Sequence, residues 1–183
     1  MNTYAIFAVV LILSVAGFVL VQNRTDTVSS IEGEYTAVKN TENDTNSNDT
    51  EKANGASSDT ELYLNDKGLT AVPQSVFQNT KLTLLDLSNN SLGGALPGEV
   101  RFLTSLKVLN LSGNTFTGVP AEIGQLSNLE ILNLSNNQIT GLPNELGNLK
   151  KLKVLDLRNT SYSAQDLEGI VKGLPKNVEI LTN

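Results

Sequence analysis

The chain of 183 residues contains no cysteine, no histidine and no tryptophan. Without cysteine there is no disulfide, thiolate metal site or lipid-modified cysteine anchor, and without histidine there is no imidazole to bind a metal or carry a proton. Aromatic residues make up only 5% of the chain, so any core must be mainly aliphatic. The sequence also lacks a glycine-rich phosphate loop and a closely spaced pair of carboxylates. We therefore predict a protein without enzymatic activity, metal or cofactor.

Positive charge is scarce as well, with 13 basic against 19 acidic residues and a net charge of −6. The imbalance belongs to residues 1–60, which hold three basic and eight acidic groups, whereas residues 61–183 hold ten and eleven. The nearly neutral second part has no basic stripe to meet a phosphate backbone. Nucleic acid is therefore not an expected partner.

One long hydrophobic run lies near the N-terminus. Ala5–Val21 has seventeen residues, of which only Ser14 is polar. As a helix it would measure roughly 25 Å, close to the roughly 30 Å of a bilayer core. We predict that residues 1–24 form a transmembrane anchor. A cleaved signal peptide is the alternative, with Ser14–Val15–Ala16 as the cleavage pattern but no basic residue before the run. A buried core helix is disfavoured because the run is apolar on every face.

A polar stretch separates this run from the rest of the chain. Between Lys39 and Ser58 there is no aliphatic residue larger than alanine and no aromatic one. Such a segment cannot bury enough surface to offset the entropy of ordering, so residues 25–58 are predicted to be a disordered linker with a reach of roughly 30–35 Å. Ile31–Val38 alternates weakly and could form a transient strand. The only flanking cation, Arg24, gives almost no orientation signal, and we expect an extracytoplasmic second part.

Residues 59–183 repeat one pattern, with leucine at positions one, four and six and asparagine at position nine. Copies begin at Leu82, Leu106, Leu129 and Leu152, and a degenerate copy runs from Leu62 to Leu69. Successive ninth positions stand 23 or 24 residues apart. The pattern resembles the leucine-rich-repeat family, whose signature is L-x-x-L-x-L-x-x-N-x-L at periods of 20–29 residues. The resemblance implies an α/β solenoid of about five rungs, with parallel strands on a concave face and short helical turns on a convex face.

The physical role of each position agrees with this fold. Leucines at positions four and six lie two apart on a strand and point to the same side, into the core. In the family the asparagine at position nine bonds backbone groups of neighbouring turns, which satisfies a buried amide. Asn90, Asn114 and Asn137 match that position. Lys67 and Thr160 depart from it, and both lie in terminal rungs, where a repeat array becomes atypical.

The segments between the strands also repeat. Each has proline, glutamate two residues later and apolar residues three apart, which predicts a short helical turn with a favourable dipole; they begin at Pro97, Pro120 and Pro143. These segments look like the 23-residue subclass of bacterial and intracellular proteins. Leu92–Pro97 is similar to the L-x-G-x-[IL]-P variant of plant receptors. Those receptors generally carry cysteine-bearing caps, which this chain lacks, so we predict a bacterial protein.

Residues 163–183 are predicted to close the array as a C-terminal cap. Ser163 and Asp166 form a capping-box-like pair ahead of a longer helix, which Gly173 and Pro175 end. Val178-x-x-Leu181 predicts a final strand. Such a cap covers the end of a core that otherwise would face water.

Positions three, five and seven are expected on the concave face. They form an aliphatic stripe beside a polar and acidic stripe, and the candidate protein-binding residues are Leu84, Asp86, Val108, Asn110, Ile131, Asn133, Val154, Asp156 and Arg158. An apolar strip with a polar rim is typical of a protein- or peptide-binding surface. Strand propensity alone also explains β-branched residues at position three. Asp86 and Asp156 stand three rungs apart, roughly 14 Å, too far to share a proton or a metal.

We therefore predict a monomeric, membrane-tethered protein at the cell surface, which interacts with an unidentified protein or peptide through its concave sheet. A structural cell-envelope protein without a specific ligand is one alternative. A binder secreted after signal cleavage is another. A glycan-binding role has less support, because Tyr63 alone on this face offers a stacking ring.

Overall fold

A computed structural model describes residues 57–183, together with two short strands near the N-terminus, β1 (Ile12–Ser14) and β2 (Gly17–Val19). The chain divides into two compact units, Met1–Ala53 and Asn54–Asn183. In the first unit β1 and β2 pair antiparallel, with Ile12 opposite Val19.

The predicted transmembrane helix is not shown. The described residues of Ala5–Val21 form the β1–β2 pair, and the rest of that run lies outside the described residues. None of the helices in the described part of the chain is long and apolar enough to span a bilayer. Most of the predicted linker 25–58, with Ile31–Val38, also lies outside the described residues. Its last two residues form β3 (Ser57–Ser58), which pairs with the backbone groups of Glu61 and Leu62 at the edge of the sheet.

The second unit is built on a seven-stranded sheet. Its repeat strands are β4 (Glu61–Tyr63), β5 (Leu84–Asp86), β7 (Val108–Asn110), β9 (Ile131–Asn133), β10 (Val154–Asp156) and β11 (Glu179–Leu181). The order of the strands in the sheet is β11-β10-β9-β7-β5-β4-β3. The six repeat strands pair in parallel, and only β3 runs antiparallel, against β4. The register places equal repeat positions side by side from β4 to β10, which confirms the solenoid.

The predicted leucines form the core. In the rungs of β5, β7, β9 and β10, every leucine at positions one, four and six is at most 2% exposed. The first rung differs, because Leu62 and Leu64 are only half-buried. A first rung lacks a neighbour on one side, and the exposure of its leucines follows from that.

The predicted hydrogen bonds of the position-nine asparagines are confirmed, and we call this set of bonds the asparagine ladder. The side-chain amide of Asn114 donates to the carbonyl oxygens of Leu87 (3.0 Å), Leu111 (3.0 Å) and Ser112 (3.2 Å), and its Oδ1 accepts the N–H of Leu92 (3.1 Å). Asn90 and Asn137 make the corresponding bonds. Each asparagine thereby joins its own rung to the preceding one.

Helical turns occupy the convex side, as predicted, and they are 3₁₀ turns. They span Gln74–Gln78, Gly98–Phe102, Ala121–Gln125 and Asn144–Asn148. A proline precedes each turn, and its carbonyl oxygen accepts a hydrogen bond from the backbone N–H three residues later. For example, the N–H of Ile123 donates to the carbonyl oxygen of Pro120 (3.2 Å). The first of these turns was not predicted. A small second sheet pairs β6 (Gly93–Ala95) with β8 (Thr115–Gly118) in parallel.

Helix α1 (Ala164–Val171) lies in the segment predicted as a cap, and Ser163 precedes it as predicted, but two details differ. Ser163 Oγ accepts the N–H of Asp166 (3.4 Å), but the Asp166 carboxylate accepts the N–H of Leu142 (3.2 Å), so it ties the helix to the preceding rung. Gly173 does not end the helix through a left-handed conformation, since its φ is not positive. Gly173 instead allows close approach, because a Cβ there would lie 2.5 Å from the carbonyl oxygen of Gly147.

The predicted final strand is present as β11, which begins one residue after Val178. β11 pairs with β10 so that Leu181 stands beside Asp156, at position five, and Ile180 packs against the core. Leu181 is therefore a buried side chain on the concave side rather than a core leucine.

Candidate functional site

Four aliphatic side chains at position three form a continuous row on the concave face: Leu84, Val108, Ile131 and Val154. We call them the apolar row. Leu84 and Val154 are buried, whereas Val108 and Ile131 are half-buried. None of the four belongs to the core cluster. Since neighbouring strands lie about 4.8 Å apart, the row is roughly 14 Å long.

The polar side chains at positions five and seven are bonded to each other within every rung from β5 to β10. Asp86 Oδ1 accepts the backbone N–H of Ser88 (2.9 Å) and its hydroxyl (2.6 Å). Asn110 with Ser112 and Asn133 with Ser135 repeat this pair of bonds. The position-five side chain therefore satisfies a backbone N–H just beyond the strand.

At β10 an ion pair replaces the serine. Arg158 donates from its backbone N–H (3.1 Å) and Nε (3.0 Å) to Asp156 Oδ1, and from Nη2 (2.6 Å) to Asp156 Oδ2. The side chains are 33% and 3% exposed. Asp86, 2% exposed, also accepts from the amide of Asn110 (3.2 Å). Both acids thus belong to a buried hydrogen-bonded network, and the sequence prediction of an acidic stripe did not include these bonds.

Position eight has a conformational role that the sequence analysis missed. The non-glycine residues there have positive φ, namely Asp66 (57°), Asn89 (54°), Asn136 (54°) and Asn159 (55°), and Gly113 (65°) completes the set. Aspartate, asparagine and glycine tolerate the left-handed region best. Their recurrence at position eight was the signal for a tight turn at the end of each strand.

Lysines border the apolar row at its strand-entry side. Position two holds Lys107, Glu130 and Lys153 in successive rungs, and the Glu130–Lys153 pair closes at 2.5 Å. The hydrogen bond from Lys153 lowers the pKa of Glu130 against an opposing effect of burial. The positive charges of Lys153, Lys107 and Lys151 lower that pKa further. This carboxylate therefore lies within the electrostatic range of three ammonium groups.

The described residues contain no group of three or more acidic side chains that could hold a metal ion. Every buried side-chain nitrogen and oxygen described there has a hydrogen-bond partner. The concave face consequently offers side chains for contact, with no orphaned buried group that a ligand would have to satisfy.

Residues 74–182 match a family described as a leucine-rich repeat region. The chain belongs to the leucine-rich-repeat family. Among curated relatives, Receptor-like protein 32 of Arabidopsis thaliana is 43% identical over 58 residues, 32% of this chain and 7% of that protein. The chain thus spans less than a tenth of the length of the curated relatives it matches.

Solved structures share the fold. The ectodomain of the receptor kinase SOBIR1 from Arabidopsis thaliana is 31% identical, with a TM-score of 0.55, over 67% of this chain and 68% of that one. The plant peptide hormone receptor RGFR1 in complex with RGF2 is 32% identical, with a TM-score of 0.55, over 67% and 24%. A leucine-rich-repeat protein of Leptospira interrogans is 38% identical, with a TM-score of 0.53, over 66% and 36%. The curated relatives named above are plant proteins, so they do not support the bacterial origin predicted from the missing cysteine caps.

Proposed function

We propose that the concave face of this leucine-rich-repeat chain binds a protein or peptide and catalyses no reaction. The observation that carries the proposal is the apolar row, whose four side chains lie outside the core cluster although all are aliphatic. Val108 and Ile131, at its centre, remain half-exposed. An apolar strip whose centre stays half-exposed, within a polar rim, suits a contact surface.

The other predicted site residues support this row in different ways. Asn133 is half-buried and Arg158 is 33% exposed, so both can reach a ligand at the rim. Asp86, Asn110 and Asp156 are at most 5% exposed and bonded to position-seven residues. We assign the last three to shaping the surface rather than to direct contact. The likeness to RGFR1, a plant peptide hormone receptor solved in complex with RGF2, supports a peptide as the partner.

A direct test places charge on the centre of the apolar row. The full chain, in non-ionic detergent, is panned against a random-peptide library and compared with the double variant Val108→Glu and Ile131→Glu. A bound partner would desolvate these carboxylates, so clones selected by the wild type should not bind the variant. Gln125→Glu and Ser127→Glu, exposed positions outside the concave face, provide a control with the same added charge.

The variants must first melt like the wild type, which shows that they fold. Clones that bind wild type and control but not the row variant support the proposal. Clones that bind all three equally would place recognition elsewhere, and the concave face would then have no role in it.

A structural envelope role is the second candidate, and the buried network of positions five and seven favours it. Those polar groups bond each other and the backbone, so few remain to specify a ligand. If no peptide is enriched by the wild type, this role becomes the better explanation of the fold.

We further propose that Ala5–Val21 tethers the repeat domain to a membrane, with the repeats on the extracytoplasmic side. The support is the length and uniform apolarity of the run. The intact protein should remain with membranes through salt and carbonate extraction. A soluble mature form beginning near Gly17 would instead establish the signal-peptide alternative.

A further inference from the structure

The charge beside the apolar row differs in sign from the charge of the whole chain. Lys107 and Lys153 directly precede Val108 and Val154, and both lysines are exposed, Lys153 at 64% of its side chain. Their backbones lie in one row, because the N–H of Lys153 donates to the carbonyl oxygen of Glu130 (2.7 Å) and that of Glu130 to Lys107 (2.8 Å). The lysines thus stand along the edge of the same sheet that presents the apolar row.

Lys151 adds a third positive charge. Its Nζ donates to Asn128 Oδ1 at 2.7 Å, which holds it at the same edge, and it remains exposed. The lowered pKa of Glu130 reflects all three ammonium groups. One carboxylate among three lysines leaves two positive charges at this edge, in a chain whose net charge is −6. We call Lys107, Lys151 and Lys153 the lysine edge.

The acids of the concave face do not cancel this charge where a ligand would lie. Asp86 is buried beneath hydrogen bonds from Ser88 and Asn110, and Asp156 is paired with Arg158. The remaining carboxylates at position three, on Glu61 and Glu179, stand beside the two ends of the row, next to Leu84 and Val154. Between these two ends, the net accessible charge beside Val108 and Ile131 is therefore positive.

We propose that the partner of the concave face is an extended acidic segment of a peptide or protein, with aliphatic side chains on the apolar row and carboxylates at the lysine edge. This proposal rests on the proposed binding role of the concave face and specifies the chemical class of its ligand. Complementary charge beside an apolar strip fixes the orientation of a ligand and excludes basic ones, since a like charge brought to the lysine edge would be repelled.

The spacing sets the size of the segment. An extended chain advances about 3.3 Å per residue, so a row of roughly 14 Å accommodates four to five residues. Side chains two apart share one face, and two or three of them can contact the row. Lys107 and Lys153 stand two rungs apart, roughly 10 Å, which matches carboxylates about three residues apart.

The test uses three synthetic pools of twelve-residue peptides that share the same aliphatic positions and differ at the others. The first carries Asp or Glu, the second Gln or Ser, and the third Lys or Arg. Binding to the full chain in detergent is measured by fluorescence anisotropy at low and high salt. The variants are Lys107→Gln with Lys153→Gln, the row variant Val108→Glu with Ile131→Glu, and Lys67→Gln with Lys172→Gln as a charge-matched control.

We expect the wild type to prefer the acidic pool, with a preference that falls as salt rises. Neutralising Lys107 and Lys153 should weaken acidic-pool binding about two- to thirty-fold, the range for two exposed ion pairs, and the control should change it little. The row variant should abolish binding by every pool.

The other possible outcomes contradict the acidic partner, the binding role or both. In one, the row variant loses binding while the wild type shows no preference for the acidic pool, or while that preference persists after Lys107 and Lys153 are replaced. Either result overturns the acidic partner and leaves the proposed binding role intact. No binding by any pool overturns both. A last arm uses vesicles with phosphatidylserine: if they bind through the lysines while acidic peptides do not, the edge meets a membrane and the peptide proposal fails.

Discussion

Removal of one ladder asparagine should destabilise the protein by an amount that depends on which carbonyl groups keep a second partner. In Asn114→Ala, the N–H of Leu92 loses the acceptor Oδ1 of Asn114. The carbonyl oxygens of Leu87, Leu111 and Ser112 retain other donors, the amides of Asn90 and Asn137 and the N–H of Asn89. One orphaned buried N–H costs about 1–3 kcal/mol.

Asn137→Ala should cost more. It orphans the N–H of Phe116, and it also removes the amide that bonds the carbonyl oxygen of Leu134 at 3.0 Å. That carbonyl cannot turn to the next rung, because Thr160 occupies position nine there and its hydroxyl donates to Leu157 instead. Two buried groups are left without their bond, so we expect about 2–5 kcal/mol, roughly 1 kcal/mol or more beyond Asn114→Ala.

The assay is urea unfolding followed by circular dichroism, with Asn148→Ala as control. Asn148 is exposed in a 3₁₀ turn, so its substitution should stay within about 0.5 kcal/mol of wild type. Similar slopes against urea are required before the free energies are compared. If Asn137→Ala and Asn114→Ala lose equal stability, or both resemble the control, the ladder does not carry the energy assigned to it here.

Three further predictions concern the core, the convex side and pH. Leu132→Ala should cost about 2–5 kcal/mol in the same urea assay, because Leu132 is fully buried, and near-wild-type stability would contradict its inward orientation. Gly124→Ala should cost about 1–3 kcal/mol, since its Cβ would clash with the backbone of the next turn. Gly118→Ala, with open space around it, should change stability little. In an NMR titration the Glu130 carboxylate should show a lowered pKa that rises in Lys153→Gln, and its contribution to stability should be present above the unfolded pKa and be lost as pH falls through the folded one.

Much of the fold followed from the repeat pattern and the family that it resembles. The period of 23 or 24 residues, with leucines at fixed positions, pointed to the leucine-rich-repeat family, and that resemblance implied the parallel strands. The spacing of the leucines predicted an inward orientation that the buried Leu85, Leu109 and Leu132 confirm. Prolines before the turns predicted the convex helical segments. Such features recur in every rung, so each copy strengthens the inference from the others.

The structure differs from the sequence predictions where the role of a residue depends on one particular neighbour. Gly173 looked like a helix terminator, but Gly147 approaches it so closely that a side chain does not fit. Leu181 was predicted only as the end of a final strand, and the register of β11 places its buried side chain beside Asp156. Neither contact is encoded in the local pattern, because both depend on how the cap is positioned against the last rung.

The concave face shows why fold and binding are hard to separate in a repeat sequence. Position five is aspartate or asparagine in the rungs of β5 to β10, and a polar stripe of that kind predicts a ligand surface. In the structure these side chains already accept the N–H at position seven, a demand of the turn that every rung shares. Their recurrence therefore follows from the fold. Position two is different, because the backbone there is bonded to the neighbouring rung without help from the side chain. Lys107 and Lys153 are thus not required by the repeat, and the charge they place beside Val108 and Val154 is the feature that selection for a ligand would explain.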